Sequence, residues 1–248
     1  MKNLVVYLCD LLFPPKCIYC GDILKPEQRP LICEKCKAKI PDDDAVCSKC
    51  GGAILHVDKK PACPTCKAAG RYFDCAYSTA IYENETRDAI IRYKYKYQPE
   101  LAEPLSWFLV KGLRRVGISN RIIDFAVSVP ADSEREKIRG FDSAGMIAKY
   151  VAKKLDIEYK KGVVKKYGRN EKQSTLNKRE REENVKGVFA AAADVKGKSI
   201  LLVDDIITTG ATAAEVSKIL KRAGAKYVFV ATVARGNKTV PIGETDEI

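Results

Sequence analysis

Three features common in enzymes and membrane proteins are missing from this sequence. It has a single histidine, His56, so an imidazole general base is excluded elsewhere in the 248 residues. It has no G-x-x-x-x-G-K-[ST] motif, which excludes a P-loop nucleotide site. Its apolar N-terminal run is only about ten residues long, which excludes a membrane-spanning helix there.

The N-terminal stretch MKNLVVYLCDLLFPP is apolar but lacks the features of a targeting segment. Asp10 interrupts it, Pro14 and Pro15 end it, and no small-residue cleavage site follows. We expect an amphipathic helix that packs on the body of the protein, with a membrane-surface anchor as the alternative. The chain is therefore predicted to be cytoplasmic, with no transmembrane segment.

The charge balance is basic and uneven. Lysine and arginine total 44 against 32 aspartates and glutamates, a net charge of +12, and 46% of the residues are hydrophobic. Between Lys137 and Lys186 there are 15 basic and 7 acidic residues, an excess of +8 that accounts for two thirds of the total. This composition is typical of a packed protein with an anionic partner, and it excludes a disordered chain.

Cysteine spacing organises the first third of the chain. Eight of the ten cysteines form four Cys-x-x-Cys pairs, which are Cys17/Cys20, Cys33/Cys36, Cys47/Cys50 and Cys63/Cys66. Two cysteines three positions apart can direct both sulfurs at one ion, and two such pairs complete the four-thiolate shell that zinc prefers. Twelve residues separate the pairs within each half, and the second half repeats the first thirty positions later. The segment therefore predicts two zinc ribbons, rather than disulfides or an iron–sulfur cluster.

We expect each Zn²⁺ to be held by consecutive pairs, since a short closed loop costs less chain entropy than a crossed arrangement. A site with four thiolates has no open coordination position, so both ions should stabilise structure rather than take part in chemistry. Cys9 and Cys75 lie outside the repeat and are expected to be small buried residues. His56 is expected to be a loop residue rather than a ligand.

After Cys75 the pattern changes to alternating strands and helices. Strands are predicted at residues 74–81, 122–129, 199–206 and 226–233. Helices are predicted at residues 87–97, 102–116, 143–155 and 212–223, where apolar residues recur every three or four positions. The chain thus divides into residues 1–75, with the N-terminal helix and the ribbons, and residues 76–248, an α/β domain with a mostly parallel, doubly wound sheet. Such sheets bind ligands beyond the carboxyl ends of their strands.

The stretch ILLVDDIITTGAT, residues 200–212, combines an apolar strand, two adjacent acids and a loop of small residues. Asp204 and Asp205 are neighbours that repel when ionised unless they bind something with several donors, such as the vicinal hydroxyls of a ribose. The loop residues are small enough for backbone amides and hydroxyls to surround a phosphate at a helix N-terminus, where the dipole favours an anion. We therefore interpret the stretch as a ribose 5-phosphate site.

This stretch resembles the phosphoribosyl pyrophosphate motif of the type I phosphoribosyltransferases, a hydrophobic strand followed by two acids, two aliphatic residues and a small-residue loop. The resemblance assigns the ribose hydroxyls to Asp204 and Asp205, as the catalytic pair. The ligand-binding loop it implies consists of Ile206, Ile207, Thr208, Thr209, Gly210, Ala211 and Thr212. A receiver domain also has a strand ending in LLVDD, but only 43 residues follow Asp205, where roughly 100 are needed. A turn without a ligand is the other alternative.

Nearly the whole chain resembles the ComF family, in which zinc-ribbon cysteines precede this phosphoribosyltransferase fold. Beyond the cysteines and the loop, Val129-Pro130 and the stretch RGFDSAGMIAKYVAKKL from Arg139 carry the resemblance. Six spaced residues carry it further: Gln173, Leu176, Arg179, Asn184, Gly187 and Phe189. The family usually has RGFN where this chain has Asp142. The resemblance implies a cytoplasmic protein of natural competence and DNA uptake that handles single-stranded DNA beside a helicase-like partner.

Phosphoribosyl transfer needs Mg²⁺, donors for the pyrophosphate leaving group and a placed acceptor. Mg²⁺ can arrive with the substrate. The fold's pyrophosphate loop would follow Val129-Pro130, at Ala131 and Asp132, with Arg139 adding charge. A mobile hood over the diphosphate is expected within residues 165–181, and its donors would be Arg169, Lys172 and Arg179. A glutaminase half is not expected, since the chain opens on Met1-Lys2-Asn3 instead of a cysteine nucleophile; the acceptor stays open.

Nucleic-acid binding is the other class of function that the sequence favours. The segment IRYKYKYQ, residues 91–98, alternates three basic residues with three tyrosines, which could offer phosphate contacts and stacking faces to a single strand. The simpler interpretation is a helix end whose tyrosines pack on the sheet and whose lysines face water. A non-catalytic protein that handles single-stranded DNA or senses nucleotides, and keeps the pocket without transferase activity, is therefore the alternative to a phosphoribosyltransferase.

Overall fold

The computed structural model describes residues 2–26, 28, 31–38, 72–131, 133–166, 189–191 and 194–236. Among them the helices are α1 (Lys2–Leu12), α2 (Glu34–Ala38), α3 (Asn84–Tyr95), α4 (Ala102–Arg115), α5 (Ser133–Arg139), α6 (Ser143–Leu155) and α7 (Ala211–Arg222). The strands are β1 (Cys75–Ile81), β2 (Phe125–Ser128), β3 (Glu158–Tyr159), β4 (Val164–Lys166), β5 (Phe189–Ala191), β6 (Ser199–Ile207) and β7 (Tyr227–Arg235).

Five strands form one parallel sheet in the order β1–β7–β6–β2–β3, and β4 and β5 form a separate antiparallel pair. Strand β6 lies in the middle of the sheet, with Val203 opposite Ser128 of β2 and Asp204 opposite Thr232 of β7. Parallel neighbours need crossover connections, which the helices supply. The predicted α/β fold with a mostly parallel, doubly wound sheet is confirmed.

Alternate residues of β6 are buried on opposite faces of the sheet. Leu201 and Val203 join a core with α3, α4 and α6. Ile200 and Leu202 join a second core with α7 and the β4–β5 pair. Helices on both faces therefore explain why this strand is apolar at every position from Ile200 to Val203, as is typical of parallel sheets.

The predicted elements agree with the structure to within a few residues. Helix α6 spans the predicted residues 143–155, and α4 and α7 differ from their predictions by one residue at the ends. Helix α3 begins three residues earlier than predicted, and β2 begins three residues later. The sequence did not predict α2, α5, β3, β4 or β5. These strands have only two or three residues and these helices only one or two turns, too few to show a periodic pattern.

The first ribbon packs against the α/β domain. Ile18 and Tyr19 belong to the same buried cluster as side chains of α3 and α4. The Tyr19 ring meets the Phe108 ring of α4 edge-on, with centroids 5.9 Å apart. The Arg92 guanidinium of α3 donates a hydrogen bond to the Ile18 carbonyl. The described part of the ribbon module therefore shares a core with the α/β domain, and a domain boundary after residue 75 stays a prediction.

The N-terminal helix forms, but the prediction that it packs on the body of the protein is wrong. Its large apolar residues and the phenylalanine after it are exposed, namely Leu4, Val5, Val6, Tyr7, Leu8, Leu11, Leu12 and Phe13. Cys9 is also exposed and Cys75 only half-buried, against expectation, whereas Asp10 is buried. Leu4, Leu8, Leu11 and Leu12 recur at helical spacing and form one stripe, as expected for an amphipathic helix, but no described part of the protein covers it. Within the described residues, no helix is long and apolar enough to cross a membrane.

Candidate functional site

A polar cavity of about 270 Å³ lies beyond the carboxyl ends of β2 and β6. Both aspartates of β6 and every residue of the predicted loop 206–212 line it. Because parallel strands end at the same edge of the sheet, the residues after β2, Val129, Pro130 and Ala131, line the same cavity. The structure therefore brings together two segments that are more than seventy positions apart in the sequence.

The small-residue loop turns β6 directly into α7. Gly210, immediately before the helix, has φ 77°, a left-handed conformation that costs little only without a Cβ. Its carbonyl accepts from the Ala214 N–H at 2.8 Å, and Thr209 Oγ1 accepts from the Ala211 N–H at 3.2 Å. Ala211, Thr212 and Ala213 form the first turn of α7 and also line the cavity. The positive end of the helix dipole therefore faces a space that suits an anion.

Asp205 is buried and engaged by two neighbouring side chains. Its Oδ1 accepts from Lys94 Nζ of α3 at 2.7 Å, and its Oδ2 accepts from the Ser143 hydroxyl of α6 at 3.0 Å. Burial alone would raise the pKa of Asp205, but the Lys94 ammonium and the Ser143 hydroxyl hold it below its ordinary value. Burial likewise opposes the charge of Lys94, yet the two aspartates raise its pKa above the usual range. Both partners are therefore charged at neutral pH.

Asp204 has a different environment although it is the adjacent residue. Its carboxyl group is partly exposed at the cavity, and its Oδ1 accepts from the Asp205 backbone N–H at 2.8 Å. Burial and repulsion from Asp205 raise the pKa of Asp204 well above its usual range, against the attraction of Lys94. The expectation that both acids need donors from a ligand therefore does not hold for Asp205, which has its own cation, and applies only to Asp204.

Arg139, at the end of α5, connects this network to the predicted pyrophosphate side of the cavity. Its Nη1 donates to Ser143 Oγ at 2.6 Å, and its guanidinium lies over the Tyr95 ring, 5.4 Å from the centroid. Its Nε is buried and has no hydrogen-bond partner among the described residues. Ala131 and Arg139 are the two predicted pyrophosphate residues that line the cavity, whereas Asp132 lies outside the described residues.

The strands that flank the predicted hood also reach the cavity. Lys166 of β4 and Phe189 of β5 both line it, and the two strands pair so that Lys166 is opposite Phe189. The predicted hood donors Arg169, Lys172 and Arg179 lie outside the described residues. Their role therefore stays a prediction, although β4 before them and β5 after them both line the cavity.

The first four repeat cysteines form one cluster. The sulfurs of Cys17, Cys20, Cys33 and Cys36 lie within 4.8 Å of one another, with 3.6 Å between Cys20 Sγ and Cys33 Sγ. Tetrahedral zinc with Zn–S bonds of about 2.3 Å has S–S edges of about 3.8 Å, so the cluster fits this ion. Burial would raise the pKa of Cys17, but backbone hydrogen bonds lower it to about 7. This cluster joins consecutive pairs, as predicted.

The second predicted ribbon cannot be compared in the same way. Cys47, Cys50, Cys63 and Cys66, together with His56, lie outside the described residues. Their assignment as ligands of a second Zn²⁺ therefore remains a prediction from their spacing.

Two residues of the site were missed by the sequence analysis, Lys94 and Ser143. The interpretation of the segment 91–98 as a helix end with lysines in water is wrong for Lys94, and tyrosine packing holds only for Tyr93, since Tyr95 and Tyr97 are exposed. Lys94 lies four positions after the buried Ile90, so helical periodicity already placed it on the inner face. Ser143 follows the N-cap residue Asp142, whose carboxylate accepts from Gly145 N.

Comparison with known proteins gives two domain matches and several relatives. Residues 140–244 match the phosphoribosyl transferase domain, and residues 8–67 match the double zinc ribbon domain. The DNA utilization protein YhgH of Escherichia coli is 27% identical over 208 residues, which cover 82% of this chain and 90% of that protein. Competence protein F of Haemophilus influenzae is 25% identical over 89% of this chain and 96% of its own length. Competence protein ComFC of Streptococcus pneumoniae is 26% identical over 89% of this chain and all of its own.

Proposed function

We propose that this chain, a ComF-type homologue of competence proteins F and ComFC with a double zinc ribbon ahead of a phosphoribosyl transferase domain, binds phosphoribosyl pyrophosphate or another ribose 5-phosphate group. One observation carries the proposal. The paired acids, the small-residue loop at a helix N-terminus and the residues after β2 line a single cavity. A sugar, its 5′-phosphate and a second anionic group would each meet a different part of its wall.

In this proposal the 5′-phosphate lies against the loop 206–212. The N–H groups of the first turn of α7 and the hydroxyls of Thr208, Thr209 and Thr212 are its donors, and the helix dipole adds attraction. The ribose hydroxyls donate to the acids near the end of β6. A carboxyl group has two acceptor oxygens, so Asp204 can accept from two neighbouring hydroxyls, whereas both oxygens of Asp205 already accept from Lys94 and Ser143.

The pyrophosphate would lie on the side of Ala131 and Arg139. The unpartnered Nε of Arg139 supports this assignment, because a buried guanidinium nitrogen without an acceptor is costly and an anion would satisfy it. Mg²⁺ would arrive with the diphosphate, and Asp204 can offer it a carboxylate oxygen, the ligand type that this ion prefers. By their sequence positions, we include Arg169, Lys172 and Arg179 as further donors, together with the backbone N–H of Asp132 in the loop after Pro130.

As an enzyme, the protein would be a phosphoribosyltransferase. The bond between ribose C1 and a pyrophosphate oxygen would break, a bond from C1 to the acceptor would form, and Arg139 with Mg²⁺ would stabilise the leaving charge. The zinc ribbons would stabilise the fold without taking part in the reaction. The names of its relatives support a role in competence and DNA utilization. From the family resemblance we further propose that the protein acts in DNA uptake in the cytoplasm, beside a helicase-like partner.

A non-catalytic role in handling single-stranded DNA, or in sensing nucleotides, is the second candidate. Tyr95 and Tyr97 favour it, because both residues are exposed, at 64% and 69%, and the Arg139 guanidinium lies beside the Tyr95 ring. Exposed aromatic rings with adjacent cations suit base stacking and phosphate contact. Affinity for a single strand should then fall steeply with salt, and a flat salt response would count against it.

The test is binding of magnesium phosphoribosyl pyrophosphate by calorimetry, together with pyrophosphate release in the presence of nucleobases, ammonia or single-stranded DNA. The double variant Asp204→Asn/Asp205→Asn should lose binding while its fold and zinc content stay intact. Asp88→Asn, an exposed acid on α3, is the matched control and should bind normally. Unchanged binding by the double variant would contradict the site. Release that depends on one acceptor supports a transferase, whereas binding without release favours the sensing role.

A further inference from the structure

The two acids of the pocket differ in their contacts with the rest of the molecule. Both oxygens of Asp205 accept from buried or half-buried side chains, Lys94 Nζ on one side and Ser143 Oγ on the other. The side chains of Lys94 and Asp205 are only 16% and 8% exposed. Asp204, one residue earlier, makes no ion pair with any described residue and opens to the cavity.

We infer that Lys94 is a positioning residue for the pocket: it acts through Asp205, whose fixed carboxylate orders the strand end, and so leaves Asp204 as the acid that meets the ligand. This inference rests on the proposed ribose-phosphate site and gives its two acids different roles. It assigns the larger share of ligand affinity to Asp204. It also assigns a binding role to a lysine that need not touch the ligand.

The charges at the strand end favour this division. The Lys94 ammonium contacts the Asp205 carboxylate at 2.7 Å, and the Arg139 guanidinium reaches Ser143, which donates to the same carboxylate. Asp204 makes no such ion pair with a described residue; burial and repulsion from Asp205 oppose its ionisation, and magnesium or the donors of a ribose in the cavity would favour it. An ion pair this close and this well shielded from water keeps its geometry, because separating the partners would leave two buried charges unpaired.

Helix α3 has the contacts that a positioning element needs. Three consecutive residues tie it to three different structures: Arg92 to the Ile18 carbonyl of the zinc ribbon, Tyr93 to the Ser143 carbonyl at 2.7 Å, and Lys94 to Asp205. Tyr93 is fully buried. Ser143 is reached from both sides, since its hydroxyl donates to Asp205 and its carbonyl accepts from Tyr93. The Lys94 ammonium is thus fixed relative to β6 by the cores of both the ribbon and the sheet.

A direct contact between Lys94 and a ligand phosphate is the competing explanation, and a double-variant cycle separates the two. Calorimetry with magnesium phosphoribosyl pyrophosphate would compare wild type with Lys94→Met, Asp205→Asn and the double variant. If Lys94 acts through Asp205, each single change weakens binding about tenfold and the double variant is no weaker than Asp205→Asn alone. If Lys94 binds the ligand itself, its removal costs further affinity in the Asp205→Asn background, which would overturn the inference.

Three further variants complete the experiment. Asp204→Asn should weaken binding more than Asp205→Asn, and equal or reversed losses contradict the division between the acids. Lys94→Arg keeps the cation and should retain more affinity than Lys94→Met, whereas a pure packing role would not depend on charge. Lys149→Met, an exposed lysine on α6, should bind like wild type.

The inference and the proposed function fail in different ways. A wild-type protein without measurable binding removes the proposed site altogether. Wild-type binding with an unaffected Lys94→Met leaves the site standing and removes only the role of Lys94. Thermal unfolding of each variant, run in parallel, shows that a loss of affinity comes from a folded protein.

Discussion

The molecule has two partly buried clusters of acidic groups, and they obtain their positive charge from different sources. In the ribbon, four cysteine sulfurs converge within 4.8 Å and suit a metal ion. In the pocket, Asp205 forms an ion pair with the ammonium of Lys94, which belongs to the chain itself. A cluster that depends on an external ion is complete only when that ion is bound, whereas a cluster with its own lysine is ordered beforehand and can exchange its ligand.

This difference explains why the two clusters are built from different residues. Thiolates bind zinc tightly enough for metal binding to supply folding free energy, which suits a permanent structural part. Carboxylates bind hydroxyl donors and Mg²⁺ more weakly and reversibly, which suits a ligand that enters and leaves. The two clusters are nevertheless connected, because the ribbon shares a buried core with α3, the helix that carries Lys94.

Loss of the ribbon metal is expected to have the largest effect. Cys17→Ser should lower the zinc content by one ion per chain and reduce the free energy of unfolding by more than about 5 kcal/mol. Because Ile18 and Tyr19 belong to the core shared with α4, the unfolding temperature of the whole described core should fall. Metal analysis and calorimetry measure the two effects. Cys9→Ser, an exposed cysteine outside the cluster, should change neither, and an unchanged zinc content in Cys17→Ser would contradict the ligand assignment.

Loss of the pocket cation should have the next largest effect on stability. Lys94→Met leaves Asp205 buried without its partner, which should cost about 3–5 kcal/mol in urea unfolding. Replacing Asp205 by asparagine in the same chain should recover most of that loss. The Lys198–Asp124 pair, at 3.1 Å but 50% and 37% exposed, is the comparison, and Lys198→Met should cost about 0.5 kcal/mol. If Lys94→Met and Lys198→Met lose equal free energies of unfolding, burial does not determine how much these ion pairs stabilise the protein.

Loss of Asp204, the half-buried acid at the cavity, should have the smallest effect on stability, and in the opposite direction. The raised pKa of Asp204 means that ionising it opposes folding, so Asp204→Asn should stabilise the protein at neutral pH by about 1 kcal/mol. The penalty grows as pH rises from the unfolded value, about 3.9, to the raised folded value. The gain should therefore vanish below about pH 4, where Asp204 is protonated in both states. Urea unfolding at pH 3.5 and 7 measures it, and a gain independent of pH would exclude this electrostatic origin.

The sequence predicted best what is encoded in consecutive residues. The β6 strand, its two acids, the loop and α7 follow one another between Ser199 and Arg222, so their types and order were enough to locate the cavity wall. The first cysteine cluster was predicted for the same reason, since a spacing of three within a pair fixes the local geometry.

Contacts between distant parts of the chain were not predictable in this way. Lys94 and Asp205 are 111 positions apart, and a lysine beside three tyrosines has the composition of a surface or nucleic-acid segment. Its ion-pair partner, Asp205, is evident only from the structure, which brings α3 next to β6. The prediction that the N-terminal helix packs on the protein failed for a related reason. Apolar residues indicate that burial is favourable, but they do not identify the surface that would bury them.

The three successive contacts of α3 also limit how this chain can vary in length. Each residue turns an α-helix by about 100°, so Arg92, Tyr93 and Lys94 point in three directions that are fixed relative to one another. Inserting or deleting one residue before Arg92 would rotate all three at once, and the zinc ribbon, Ser143 and Asp205 would lose their partners together. Substitutions in α3 can be compensated one at a time, whereas a change in its length cannot.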